Sequence, residues 1–199
     1  MADTYRTIRK PSEGLYKEKM SKFLSFAHPV QTVDEAMAVV AKYKKEYFDA
    51  RHCCWAYMIG SDRSVFRSND DGEPSGTAGK PILGQINSAE LTNVVVCVVR
   101  YFGGVKLGTS GLIVAYRTAA AEALNAAEIE ERIVTARLSV EFPYQLMGDV
   151  MRVAKDGGAE IVSQDFQQET CRLSVEIRQD NLEKLKGKYG LIYGVRLIH

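Results

Sequence analysis

Six consecutive apolar residues, Val94-Val95-Val96-Cys97-Val98-Val99, constrain this chain more than any other segment. All but Cys97 are β-branched, and a continuous run of this kind marks a strand buried on both faces. A glycine-rich loop follows, Arg100-Tyr101-Phe102-Gly103-Gly104-Val105-Lys106-Leu107-Gly108-Thr109-Ser110-Gly111. Beyond it, Leu112, Ala115, Tyr116, Ala119, Ala120, Ala123, Leu124 and Ala127 recur at the spacing of one buried helical face. Strand, glycine loop and helix in that order make a recurring anion site. The helix N-terminus offers unpaired N–H groups and partial positive charge, and glycine lets loop backbone turn toward a ligand. Lys106 adds charge within the loop, and Thr109 and Ser110 are natural caps. Gly103 to Gly108 matches the opening of a phosphate-binding P-loop, but Thr109 and Ser110 stand where Lys and Ser/Thr belong, so that loop is not made.

A second segment of the same type lies upstream: Ser68-Asn69-Asp70-Asp71-Gly72-Glu73-Pro74-Ser75-Gly76-Thr77-Ala78-Gly79-Lys80-Pro81. Asp70, Asp71 and Glu73 put three carboxylates within four residues. Such a set suits Mg²⁺, but a turn with solvated charges is the preferred reading. Ser75 invites a nucleophile reading, yet neither glycine segment holds a Gly-x-Ser-x-Gly elbow, and among His28, His52 and His199 only His52 stands where a base would serve. Cys53 alternates to the side opposite His52, and Cys54 lies a full pleat away, so no Cys–His dyad is expected. No catalytic residue, cofactor or metal is therefore expected.

Composition narrows the function classes. There are 26 basic and 25 acidic residues, without the basic excess usual in a dedicated nucleic-acid binder. The four cysteines have neither metal spacing nor a disulfide framework. The run 94–99 is far short of the roughly 20 residues that span a bilayer, and the N-terminus lacks the apolar core of a secretory signal. A cytoplasmic location and no membrane partner are the expectations.

Elsewhere, 15–30 reads as a strand, and Thr32-Val33-Asp34-Glu35 as a capping box opening a helix to about Phe48. Residues 52–59 read as a strand, 64–67 as a short partner strand, 77–86 as a helix, and 112–127 as the clearest helix. Residues 128–135 read as a linker or extending strand. From 136 the pattern is a strand at 138–142, a helix from Pro143 to Gly157-Gly158, strands at 159–165 and 170–178, a short helix capped by Asp180, and a last strand at 191–198. That order, βαββαβ, is ferredoxin-like. The expected fold is α+β in two domains, 1–135 and 136–199.

Asp70-Asp71-Gly72-Glu73-Pro74-Ser75-Gly76-Thr77-Ala78-Gly79, Arg100-Tyr101-Phe102-Gly103-Gly104-Val105-Lys106-Leu107-Gly108 and Ala50-Arg51-His52 together resemble the YigZ/IMPACT family, which carries an Impact N-terminal domain and whose eukaryotic members regulate translation. After the second loop the family pattern resembles Gly-Leu-Val-Arg-Ala-Tyr, whereas Val114 stands here in place of the arginine. The resemblance implies a βαβ-rich first domain like elongation factor G domain IV, of ribosomal-protein-like fold, and a second like its domain V. It implies a partner in the ribosome, a ribosome-associated protein or RNA. The candidate anion- or partner-binding residues are Arg51 and His52; Asp70, Asp71, Gly72, Glu73, Ser75, Gly76, Thr77, Gly79 and Lys80 of the first segment; and Arg100, Tyr101, Gly103, Gly104, Lys106, Gly108, Thr109, Ser110 and Gly111 of the second. The competing expectation is an enzyme on a small phosphorylated or nucleotide substrate. In that case Gly108-Thr109-Ser110-Gly111-Leu112 would serve as a phosphate loop like that of the GHMP kinases.

Overall fold

The computed structural model describes residues 4–167 and 169–198. They divide into two units, a larger one of Tyr5–Arg132 and a smaller one made of Thr4 together with the residues from Ile133 onward. In chain order the larger unit comprises β1 (Thr4–Ile8), β2 (Ser12–Glu18), β3 (Ser21–Pro29), α1 (Val33–Glu46), β4 (His52–Ile59), β5 (Val65–Asn69), α2 (Gly79–Ser88), β6 (Val94–Tyr101), α3 (Gly108–Asn125) and β7 (Ile129–Ile133).

β6 is the middle strand of an antiparallel five-stranded sheet ordered β2-β3-β6-β4-β5. Its alternation explains why both faces must be apolar. Val94, Val96 and Val98 join Cys54, Ala56, Met58, Ala115, Tyr116 and Ala119 in the core beneath α2 and α3. Val95, Cys97 and Val99 join Trp55, Tyr57, Ala36, Val40 and Tyr43 in the core beneath α1. All six residues of the run are fully buried. The alanine stripe of α3 lets that helix lie close to the sheet. Thr32 caps α1, its Oγ1 accepting from the Glu35 N–H at 3.2 Å, while the Glu35 carboxylate accepts from the Gln31 N–H at 2.6 Å.

Several elements differ from expectation. The stretch 15–30 is a hairpin of β2 and β3, its reversal made by Lys19 (φ 43°) and Met20 (φ 65°). Turns of this hand usually carry glycine or asparagine, so nothing in the sequence marks it. β1, paired with β7 in a separate ribbon, was likewise unmarked. Thr109 and Ser110 lie inside the first turn of α3; the residue at its cap is Leu107, which supplies no side-chain bond.

The smaller unit runs β8 (Thr135–Pro143), α4 (Met147–Asp156), β9 (Glu160–Phe166), β10 (Thr170–Arg178), α5 (Leu182–Gly190) and β11 (Arg196–Ile198). Its antiparallel sheet is ordered β11-β8-β10-β9. Val140, Phe142, Leu173 and Val175 pack with Val150, Leu185 and Tyr189 of the two helices. Pro143 ends β8 and caps a 3₁₀ turn, Tyr144–Leu146, that leads straight into α4, and the last strand is three residues long. Asp180 lies in a short turn before α5 and does not cap it. The whole is a mixed α+β fold with five α-helices among the described residues.

Candidate functional site

His52 opens β4 directly opposite Arg100 near the end of β6, so sheet register brings the two side chains to one end of the sheet. The guanidinium of Arg100 donates to Glu73 Oε1 at 2.6 Å, and the buried Tyr116 hydroxyl donates to the same oxygen at 2.7 Å. Arg100 is only 6% exposed and Glu73 8%. Burial next to Cys54 and Glu73 holds the Tyr116 hydroxyl far above its ordinary pKa, and burial also raises the Cys54 thiol. The Arg100 guanidinium lies 5.5 Å from the ring centres of both Phe23 and Phe102. His52 Nδ1 sits 2.7 Å from the Asp71 carbonyl oxygen, which can only accept, so in the neutral ring Nδ1 carries the proton. Nε2 is then left facing Glu73 Oε1 at 3.9 Å.

The three neighbouring carboxylates have three separate structural tasks, and the expected turn of solvated charges is not what forms. Asp70 accepts backbone N–H groups from Gly76 at 2.8 Å, Ala78 at 3.1 Å and Gly79 at 2.8 Å, closing the first glycine loop around its own anion. Burial pushes the Asp70 carboxyl up, but these three donors and the nearby Lys80 outweigh it and hold its pKa below the ordinary value. Asp71 pairs with Lys44 at 2.5 Å and accepts the Cys53 N–H at 2.7 Å. Glu73 takes Arg100 and Tyr116. No group of three His, Cys, Asp or Glu side chains suited to a metal occurs among the described residues.

Two predictions arise from this loop. Asp70→Ala strands three amide donors at the start of α2 and should cost about 2 kcal/mol, measured by chemical denaturation. Because Asp70's pKa is lower folded than unfolded, its contribution is present above the ordinary carboxylate range and is lost as pH falls through the folded value. Stability of wild type should therefore fall more steeply on acidification than that of Asp70→Asn. Separately, a Cβ on Gly79 would lie 2.7 Å from the backbone nitrogen of Asn69. Gly79→Ala should cost about 2 kcal/mol by forcing α2 away from the end of β5.

The two glycine segments converge. A cleft of about 390 Å³ is lined by Arg51, His52, Glu73, Pro74, Arg100, Phe102, Lys106, Leu107, Gly108, Thr109 and Leu112. Seven of these eleven were candidates from sequence: Arg51, His52, Glu73, Arg100, Lys106, Gly108 and Thr109. Arg51 and Lys106 have no hydrogen-bond or ion-pair partner among the described residues. Gly108 and Thr109 open α3, whose first turn has no side-chain cap.

The other candidates lie outside the lining. Asp70, Asp71, Gly72, Gly76, Thr77 and Gly79 build the loop's scaffold, and Ser75 and Lys80 are exposed beside it. The Tyr101 hydroxyl donates to Asp49 at 2.7 Å, an arrangement that raises its pKa to about 12. The Gly103 N–H donates to Ser21 Oγ at 3.1 Å, and Gly104 makes the left-handed turn of the loop. Ser110 and Gly111 face a different depression with Tyr16, Glu18, Lys19 and Val114. The position where Val114 replaces the family's arginine therefore does not line the cleft.

Sequence reasoning did not single out Pro74, Phe102, Leu107 and Leu112 as site residues. In the sequence Leu112 belongs to the helix stripe and closes the phosphate-loop string of the competing enzyme expectation, and Tyr116, which hydrogen-bonds Glu73, belongs to the stripe alone. The signal was present, since both lie one helical turn apart on the face that starts beside the loop.

Fold and site together define an antiparallel α+β protein with a cationic cleft whose floor is a buried arginine–glutamate pair. The chain belongs to the IMPACT family: the family model for the Impact N-terminal domain matches residues 19–124, which include both glycine segments. The IMPACT family member YvyE of Bacillus subtilis is 37% identical over 150 residues, covering 75% of this chain and 69% of that protein. The Escherichia coli family member YigZ is 32% identical over 151 residues, covering 75% and 74%. A crystal structure of a hypothetical protein superposes with a TM-score of 0.78 at 26% identity, covering 100% of this chain and 98% of that one. Among the described residues no helix is long and apolar enough to cross a membrane.

Proposed function

We propose that this protein is a non-enzymatic, translation-associated regulator of the IMPACT type, acting on the ribosome or a ribosome-associated protein. The cleft between its two glycine loops contacts phosphate or an acidic partner surface. The observation that carries this reading is the pairing of the cleft's charges. Glu73 neutralises Arg100, whereas Arg51 and Lys106 lack counter-ions beside the uncapped start of α3. An anion entering there meets positive potential with no competing free carboxylate. The βαββαβ order of the smaller unit supports a ferredoxin-like domain, and with it the likeness to elongation factor G domains IV and V, as an analogy of fold alone. A GHMP-kinase-like enzyme is less well supported, since Asp70, Asp71 and Glu73 are all engaged and none is left to act as base or Mg²⁺ ligand.

Co-sedimentation with purified ribosomes across a salt series tests the proposal. Binding should weaken steeply with salt, with a log–log slope near −0.7 to −0.9 per phosphate contacted. Lys106→Ala should weaken it several-fold and flatten the slope by about one contact. Absence of binding at every salt concentration, or indifference to Lys106→Ala, would remove this reading.

A further inference from the structure

The cleft is lined by Arg100 and Glu73, both buried, and Glu73 is held by the buried Tyr116 hydroxyl. Its volume, about 390 Å³, is at the small end of ligand sites. Its walls are Pro74, Phe102, Leu107 and Leu112, apolar surface suited to a flat ring.

Its polar groups fall into two sets. Arg51 and Lys106 are exposed and unpaired, and Gly108 and Thr109 present the open first turn of α3; together they match a doubly charged anion. The inner set is His52 and Arg100. His52 keeps Nε2 as an acceptor, and the Arg100 Nε–H is buried without a hydrogen-bond partner. Donor and acceptor capacity at the more buried His52 and Arg100, apolar walls and dianion-matching charge at the exposed Arg51 and Lys106 suit a base with a terminal phosphate.

Resting on the reading of this cleft as the anion-contacting site, we infer that it binds a nucleoside 5′-phosphate as a terminal monoester. The base lies between Phe102 and Leu112 and the phosphate at Lys106, Arg51 and the start of α3. Two sources present this chemistry, a free mononucleotide and the 5′-phosphorylated end of an RNA.

Calorimetric titration of the full chain with AMP, GMP, UMP, adenosine, inorganic phosphate and two short oligoribonucleotides, one 5′-phosphorylated and one 5′-hydroxyl, tests the inference. At least one mononucleotide should bind tenfold or more tighter than adenosine or inorganic phosphate. Lys106→Ala and Arg51→Ala should each weaken it about tenfold, whereas Lys80→Ala, outside the cleft, should leave it unchanged. The 5′-phosphorylated RNA binding as well as the mononucleotide would identify RNA ends as a source, and binding only the mononucleotide would identify the free metabolite. Equal binding of the two RNAs would overturn the inference and leave the backbone-contact reading standing. Failure of every mononucleotide at millimolar concentration, or phosphate binding as tightly as AMP, would overturn it too. Mononucleotide binding without ribosome binding would remove only the translation reading.

Discussion

Glu73→Ala is expected to destabilise the larger unit by about 3–5 kcal/mol, the range for breaking a buried ion pair from one side. The reason lies in what remains. Arg100 stays buried at the end of β6 with its guanidinium uncompensated, and the Tyr116 hydroxyl loses its acceptor. Urea denaturation followed by circular dichroism measures the loss. Pairing the change with Arg100→Met removes the stranded charge, so the double variant should regain more than half of it. A single-variant cost below about 1 kcal/mol would mean that the pair is not desolvated as the structure places it. The same experiment bears on the cleft, because the double variant keeps Arg51 and Lys106 while replacing the floor.

Gly103→Ala is expected to cost about 3 kcal/mol, for a different reason. A Cβ there would overlap the carbonyl carbon and oxygen of Met20 and the nitrogen of Ser21. Those atoms are backbone of the β2–β3 reversal and cannot rotate away. The neighbouring Gly104 is the control. Nothing lies within 4 Å of a Cβ there, but its φ of +87° is left-handed. Gly104→Ala should cost only about 1 kcal/mol, from backbone strain. Thermal melts of the two variants separate collision from conformation; equal costs would show that Gly103 is not pressed against the hairpin. By pushing the second loop outward, Gly103→Ala should also weaken whatever Lys106 contacts.

Much of this was legible in order along the chain. The 94–99 run specified a doubly covered strand, Thr32 and Glu35 specified the start of α1, and the alanine stripe specified the buried face of α3. Each is a signal carried by residues within a turn or two of one another. The β2–β3 hairpin was not legible, because Lys19 and Met20 take left-handed conformations without the residues that usually announce them. Thr109 and Ser110 looked like caps by composition and lie inside the helix instead. The acidic cluster departs most from expectation: the preferred reading of Asp70, Asp71 and Glu73 is a turn with solvated charges, whereas the loop turns their side chains toward α2, α1 and β6 in succession.

By itself the sequence determined the strands and helices with strong periodicity, the family, and the two loops where a site had to be sought. Only the tertiary structure decided that the loops meet in one cleft, that its floor is neutral and its rim positive, and that Val114 is not part of its lining. The division has a physical cause. Periodicity and capping are short-range properties, fixed by neighbours in the chain. The partner of a charge is set by strand register and by how a loop folds back. Arg100 meets Glu73, 27 residues away in sequence, only because β4 and β6 pair with His52 opposite Arg100 and the first loop closes over Asp70.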